Sequence, residues 1–244
     1  MELPTFAPMR QFAISDIHGC NISFNALLDK IGLTTADELY LLGDYIDRGP
    51  DSKGVLDTII RLQSTGYKVR CLMGNHDEAI LKARQDRHFY LNWLTGWGGE
   101  ETLDSFKAYN WEDIEPKYWQ FFKSLEHFIE LDGYILVHAG LDFKLADPLL
   151  VTEEMRFIRD WYDDIDYEWL GDRCIVHGHT PLTVQQVEAL LENIDNHQVM
   201  DIDTGCFAGE RKPGKGYLCA FDMTNRALFF QKNLDDVSGY WAGR

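Results

Sequence analysis

The chain is poor in cysteine and in positive charge, and it has no long apolar run; each shortage removes a class of protein. Its five cysteines, Cys20, Cys71, Cys174, Cys206 and Cys219, are odd in number and widely separated, with no CxxC pair. That excludes a disulfide-built scaffold and fits a reducing, cytoplasmic compartment. No stretch approaches the roughly 20 apolar residues of a membrane span. Met1 to Arg10 lacks the basic start and apolar segment of a signal peptide. Lys and Arg number 23 against 40 Asp and Glu, a net charge of -17. That balance argues against an extended nucleic-acid footprint or an anionic membrane as partner. No repeat, low-complexity tract or linker divides the 244 residues, so a single domain over 1–244, monomeric by default, is expected.

What is present is a series of apolar runs that stop abruptly in polar residues. Gln11 to Ser15 reads as a short strand ending at Asp16-Ile17-His18-Gly19. Phe24, Leu27, Leu28 and Ile31 follow at helical spacing, with Gly32 as a stop. Leu39 to Leu42 suits a buried parallel strand and breaks into Gly43-Asp44-Tyr45-Ile46-Asp47-Arg48-Gly49. A helix through Val55, Leu56, Ile59 and Ile60 ends by Gly66. Lys68 to Met73 then leads into Gly74-Asn75-His76-Asp77, with a further helix expected near Glu78. This βαβαβ order implies parallel strands that deliver polar residues to one sheet edge, where ligand sites of open α/β sheets lie.

Residues 84–127 differ. Trp93, Trp97, Trp111 and Trp119 lie among helical patterns, and Pro116 suits the first turn of a helix. A helical subdomain is expected there, with the tryptophans as its core. Phe128 to Leu131 and Tyr134 to Val137 flank Asp132-Gly133, a favoured hairpin turn. Cys174 to Val176, Gln198 to Ile202, Gly216 to Phe221 and Ala227 to Gln231 are further strands, expected to build a second, mixed or antiparallel sheet. Val184 to Ile194 fits either a helix or the start of a strand.

The polar ends share a chemistry. Asp16 and His18 straddle Ile17; Asp44, Asn75 and His76 leave the next strands; His138 follows Val137, and His177-Gly178-His179-Thr180-Pro181 follows Val176. Mixed carboxylate, amide and imidazole donors suit manganese, iron or zinc better than calcium. Two ions bridged by one carboxylate can orient a hydroxide and clamp phosphoryl oxygens. Such a centre, with a few arginines, makes one pocket positive in an acidic protein.

Taken in order, these motifs together with His138-Ala139-Gly140 and Asp201-Ile202-Asp203-Thr204-Gly205 resemble the calcineurin-like metallophosphoesterases. Within them the chain is similar to the bacterial and phage branch of the serine/threonine phosphoprotein phosphatases, and also to symmetrical diadenosine tetraphosphate hydrolases. The resemblance implies an α/β metallophosphoesterase fold, a central two-sheet β-sandwich flanked by helices. It implies two divalent metal ions, Mn2+ first in vitro with iron or zinc as alternatives. Asp16 and His18 would hold one ion, Asp44 both, and Asn75, His138 and His179 the other. A hydroxide bridging the ions would attack phosphorus directly.

By the same resemblance Arg48, Asn75 and Arg159 bind the phosphate, and His76 stands near the leaving group, paired with Asp47. Arginine offers a planar fork of donors to phosphate oxygens, and an Asp-paired imidazole should favour the protonated form of a general acid. Phe157-Ile158-Arg159 departs from the family's usual tryptophan at its first position, and Arg156 competes for the role. His177 and Asp203 are candidates to support the ligand side chains; packing for His177 and turn capping for Asp203 are equal alternatives. The expected activity is hydrolysis of phosphate monoesters, phosphoserine and phosphothreonine in proteins included. Symmetrical hydrolases often carry another residue where Asp47 stands, which favours phosphorylated proteins or small phosphate esters over dinucleotides. A dinucleoside polyphosphate hydrolase and a non-catalytic binding module are the alternatives.

Overall fold

The computed structural model describes residues 9–238; residues 1–8, most of the stretch read for a signal pattern, lie outside the described residues. Two sheets form the centre. The first has five strands in the order β3-β2-β1-β8-β9: β1 (Gln11–Ile14), β2 (Glu38–Leu41) and β3 (Lys68–Cys71) are parallel, and β8 (Tyr217–Asp222) and β9 (Ala227–Lys232) continue it antiparallel. The second runs β4-β5-β6-β7, from the hairpin of β4 (Phe128–Leu131) and β5 (Tyr134–Val137) to parallel β6 (Cys174–His177) and β7 (Val199–Asp201). The last two strands were expected to join the second sheet and do not. They complete the first, where β8 pairs with the open side of β1.

The residue alternation explains the layering. Phe12 and Ile14 of β1, with Leu39 and Leu41 of β2, pack beneath the helices, whereas Ala13, Tyr40 and Leu42 face the opposite way. That second set meets Ile129, Leu136, Val176 and Met200 of the other sheet, together with Cys219 and Phe221. Ile135, Val137 and Ile175 turn outward onto Met155, Trp161 and Leu170. Strands buried on both faces need uninterrupted apolar runs, and β1, β2, β5 and β6 have them.

The helices cover these faces. Helices α1 (Asn21–Ile31) and α2 (Ser52–Ser64) lie between the first parallel strands, and α3 (Asn75–Ala83) follows β3. Helix α3 begins before Glu78, so Asn75 and His76 occupy its first turn. The region after it contains α4 (Arg87–Asn92), a π-type turn at Trp93–Trp97, α5 (Gly99–Phe106) and α6 (Pro116–Lys123), with Pro116 at its first position. Trp93 and Trp119 are buried, and Trp97 and Trp111 partly so. Short α7 (Glu154–Phe157) and α8 (Tyr167–Leu170) lie over the second sheet, and the ambiguous segment is helical as α9 (Val184–Glu192) and α10 (Ile194–His197). Thr183 caps α9 reciprocally with Gln186, which selects helix over strand there. Among the described residues no helix is long and apolar enough to cross a membrane.

Candidate active site

Register alone brings the motifs together. Ile14 pairs with Leu41 and Leu41 with Cys71, so the loops after β1, β2 and β3 leave the first sheet at the same edge. In the second sheet Leu136 pairs with Val176 and His177 with Asp201, so His138 and His179 leave together. The two edges are stitched to each other. The His179 amide donates to Asp16 Oδ2 at 3.0 Å, and His138 Nδ1 donates to the Leu42 carbonyl at 2.8 Å.

The backbone is strained here. Asp16, His18, Asp44, Asp47, Arg48 and His179 all have positive φ, between 45° and 72°. Non-glycine residues adopt that region at a cost and concentrate at functional sites when they do. The intervening glycines allow the loops to touch: a Cβ on Gly74 would lie 2.1 Å from Asp44 Oδ1, and one on Gly43 would lie 2.9 Å from the His138 ring.

The six side chains read as ligands converge. His18 Nδ1 donates to the Ile46 carbonyl at 2.9 Å, as His138 Nδ1 does to Leu42, so in each ring Nε2 is the nitrogen left to face the cluster. Those nitrogens face Asp44, His18 Nε2 at 3.4 Å from Oδ2 and His138 Nε2 at 3.5 Å from Oδ1. Asp16 Oδ1 is 3.9 Å from His18 Nε2. Asn75 Oδ1 lies 3.0 Å from His138 Nε2 and 2.9 Å from His179 Nδ1, while His179 Nε2 has no hydrogen-bond partner. Two overlapping groups result, His18, Asp44 and His76 on one side and Asp44, His138 and His179 on the other, each with ligand atoms within 4.8 Å.

Electron-pair donors crowded in this way repel unless a cation lies among them. Burial, reinforced by Asp16 and opposed by His138, pushes the Asp44 carboxyl up to about 6. Burial also pushes His18 well below its ordinary value, with the Arg48 charge assisting, so a proton on His18 does not resolve the conflict. The residues present therefore fit a pair of divalent ions sharing Asp44.

A second group borders the first. His76 Nδ1 donates to Asp47 Oδ2 at 2.8 Å, both residues fully buried, and His76 Nε2 has no partner. Trp93 Nε1 donates to Asp47 Oδ2 at 2.9 Å and Thr102 Oγ1 to Asp47 Oδ1 at 2.7 Å. Trp97 packs its edge against the His76 ring, centroids 5.2 Å apart. The tryptophans expected only as a core thus extend to this pair. Burial outweighs the Asp47 partnership: it holds His76 well below its ordinary value and Asp47 well above, so charge is disfavoured on either member. This reverses the expectation that pairing alone would favour the protonated imidazole. Arg48 lies over the Phe207 ring at 4.5 Å, with Nη1 3.0 Å from His18 Nε2.

The remaining candidates separate. Arg159 Nη1 donates to the His179 carbonyl at 3.3 Å and to Thr180 Oγ1 at 3.1 Å, at the border of the cluster. Arg156 instead pairs with Glu78 at 2.8 Å and donates to the Thr152 carbonyl. His177 bonds the Tyr162 hydroxyl and the Gly178 carbonyl rather than a ligand side chain, and Asp203 accepts from the Gly205 amide within its own turn. Asp77 was not foreseen from the sequence. Its carboxylate accepts from the amides of Asp44, Tyr45 and Gly74, fastening the loops after β2 and β3 together. Asp at the third residue of a helix beginning at Asn75 is the signal that could have shown it.

Comparison with known proteins agrees with this architecture. The calcineurin-like phosphoesterase family matches residues 9–209, and the chain belongs to that family. It is 30% identical over 174 residues to the symmetrical bis(5'-nucleosyl)-tetraphosphatase of Nitrosomonas europaea, a match covering 66% of this chain and 60% of that protein. The chain thus spans less than two thirds of that curated relative. A solved structure provisionally named a diadenosine tetraphosphatase superposes with TM-score 0.65 at 20% identity, covering 93% of this chain and 95% of that one. A serine/threonine phosphatase from Saccharomyces cerevisiae with similarity to human PP5 gives 0.61 at 15%, covering 93% and 81%. At these identities the structures show a common fold.

Proposed function

We propose that the chain is a dinuclear-metal phosphohydrolase acting on phosphate monoesters, with phosphoserine and phosphothreonine in proteins among the substrates of that class. The observation that carries this reading is the adjacency of two arrangements: donors converging on Asp44, and a buried Asp47–His76 pair whose free Nε2 borders them. Asp16, His18, Asp44, Asn75, His138 and His179 would hold the ions, which when bound supply Lewis acidity and an activated water. Arg48 and Arg159 would grip phosphate oxygens from two sides. A phosphate dianion on Arg48 would offset the burial that keeps His76 neutral and raise its affinity for a proton. His76 could then give that proton from Nε2 to the departing alkoxide, while Asp47 fixes the ring through Nδ1. Asp77 sets the position of Asp44 through the backbone.

A second reading is hydrolysis of a dinucleoside polyphosphate, favoured by the name of the Nitrosomonas relative, a symmetrical bis(5'-nucleosyl)-tetraphosphatase. Its leaving group is a phosphate, which needs far less protonation than an alkoxide, so the Asp47–His76 pair bears less on it. The test is phosphate release and product analysis on a panel containing p-nitrophenyl phosphate, a phosphoserine peptide and diadenosine tetraphosphate, with manganese, iron and zinc supplied in turn. Manganese-supported release from the monoesters is expected. Exclusive cleavage of the dinucleotide would replace the first reading by the second, and inactivity on the whole panel would contradict both.

A further inference from the structure

Beside the ligand cluster, on the far side of Arg159, a cleft of about 670 Å³ opens between the segment 159–163 and helix α9. Its size falls within the range of small-molecule sites. It adjoins the candidate active site: Arg159 and Thr180 line it, and Arg159 also bonds the His179 carbonyl. One wall is apolar, from Leu182, Ala189 and Leu190, and the exposed Tyr162 ring stands among the other lining groups. Asp201 also lines the cleft. It is 1% exposed; Oδ1 accepts from the Asp203 amide at 3.0 Å, and Oδ2 has no hydrogen-bond partner. A buried polar oxygen without a partner costs stability, and the residue that carries this one lines the cleft.

We infer that this cleft is a subsite for the nucleoside part of the substrate, with the ribose hydroxyls meeting Asp201, the base lying along Tyr162 and Leu190, and the phosphate reaching the active site past Arg159. The inference rests on the phosphohydrolase reading above and commits its substrate to a nucleoside phosphate. The chemistry selects a nucleoside in three ways. A ribose hydroxyl both donates and accepts, so it satisfies Asp201 Oδ2 in either protonation state. Asp160 and Asp163 are also in the lining, which disfavours a second anionic group inside the cleft and leaves the phosphates to the arginine side. The apolar wall and tyrosine ring provide a face for a base, which a bare phosphate or an inorganic ester would leave empty.

The test separates the cleft from the chemistry. Adenosine, which carries no phosphate, is titrated into the protein and followed by amide chemical shifts, with no turnover required. Saturable shifts confined to residues around Tyr162, Leu190 and Asp201 are expected. Ala189→Trp, an exposed position on α9, should fill the cleft, abolish those shifts and raise KM for adenosine monophosphate or diadenosine tetraphosphate, whichever is turned over, by about tenfold. Its kcat/KM on p-nitrophenyl phosphate should be unchanged, the pattern of lost uniform binding. Asp201→Asn should weaken adenosine binding in the same direction while its p-nitrophenyl phosphate activity reports that the site is folded. Absence of adenosine shifts at these residues would overturn the subsite. So would an Ala189→Trp effect confined to a basic phosphopeptide, which would make the acidic rim a peptide groove. If the wild-type protein is inert on every phosphate ester while adenosine still binds in the cleft, the phosphohydrolase reading fails and the cleft stands.

Discussion

The two halves of the candidate active site are built differently. The half around Asp44 is made by backbone: strand register sets the loops at one edge, positive φ aims the side chains, and Gly43 and Gly74 let neighbouring loops touch. The half around His76 is made by side chains that arrive from another part of the chain, Trp93 and Thr102 fixing Asp47 from the helical region. Trp93 and Thr102 bond Asp47 and none of the side chains converging on Asp44, although the His76 amide does donate to Asp44 Oδ1. The second half can be loosened from a distance of more than 40 residues in sequence without touching a ligand. Substitutions in the two halves should therefore leave different signatures.

The largest effect is expected on the backbone-built side. Asp44→Asn should reduce metal content and lower turnover by roughly 1,000-fold or more, since it would remove the charge proposed to be shared by both ions and several kcal/mol of transition-state stabilisation with it. Metal analysis alongside steady-state kinetics would check both. Retention of full metal content by this variant would show that Asp44 is not the shared ligand. The same carboxyl sets a pH dependence. It must be ionised to bind a cation, and burial places it at about 6. Metal affinity should hold above that pH and fall by about tenfold per unit below it as Asp44 takes up a proton. Calorimetric titration with Mn2+ between pH 5 and 8 would measure this, and affinity independent of pH across that range would remove Asp44 from the account.

This difference also explains what could be read from the sequence. Gly43-Asp44 and Gly74-Asn75 sit directly after apolar runs, and strand order brings such ends together, so the convergence around Asp44 was legible in residues close to one another in the chain. Likewise the hairpin at Asp132-Gly133 and the start of α6 at Pro116 follow from local turn and helix chemistry. Sheet membership did not. Tyr217–Asp222 lies next to second-sheet strands in sequence but pairs with β1, because the first sheet had an open side that local pattern does not display. The grip of Trp93 and Thr102 on Asp47 was invisible for a related reason: tryptophan at helical spacing announces a core, and nothing in its spacing reports that its indole N–H finds a carboxylate. Asp77 was missed because the helix was expected to begin near Glu78 rather than at Asn75, so Asp77 was not read as its third residue, the position from which a carboxylate takes up backbone amides.

A smaller effect is expected where that remote support is cut. Thr102→Val removes the 2.7 Å hydrogen bond to Asp47 Oδ1 and leaves the ligand set untouched. Turnover should fall by roughly 10- to 100-fold, the range for residues that orient a functional group through another, with metal content unchanged. Chromatographic desalting followed by metal analysis would show whether an ion is lost. Loss of an ion would mean that the two halves are mechanically one.

The smallest effect lies outside both halves. Asp37 is nearly buried and accepts from Arg10 and Thr34; burial opposes its ionisation, but these bonds outweigh it and hold the carboxyl down at about 2. A carboxylate depressed in the folded state contributes stability above its unfolded value of about 4, and that contribution is lost as the pH falls toward about 2. Asp37→Asn should cost about 1–2 kcal/mol at neutral pH, with the difference from wild type shrinking in acid and with kcat and metal content unchanged. Denaturant unfolding at pH 7 and pH 3 would record it. An equal cost at both values would show that the ionised form is not what stabilises the fold.

The central claim is that His76 belongs with Asp47 and the leaving group rather than with the ions, although one of its ring nitrogens lies within 4.8 Å of donor atoms on His18 and Asp44. Metal content of His76→Asn, measured beside its kcat on p-nitrophenyl phosphate and on an alkyl phosphate ester, tests this most directly. The account predicts two ions per chain for this variant and for the wild type alike, and a turnover loss of roughly 100- to 10,000-fold on the alkyl ester that shrinks on the aryl one. Release of an ion by this substitution would contradict it and make His76 a ligand.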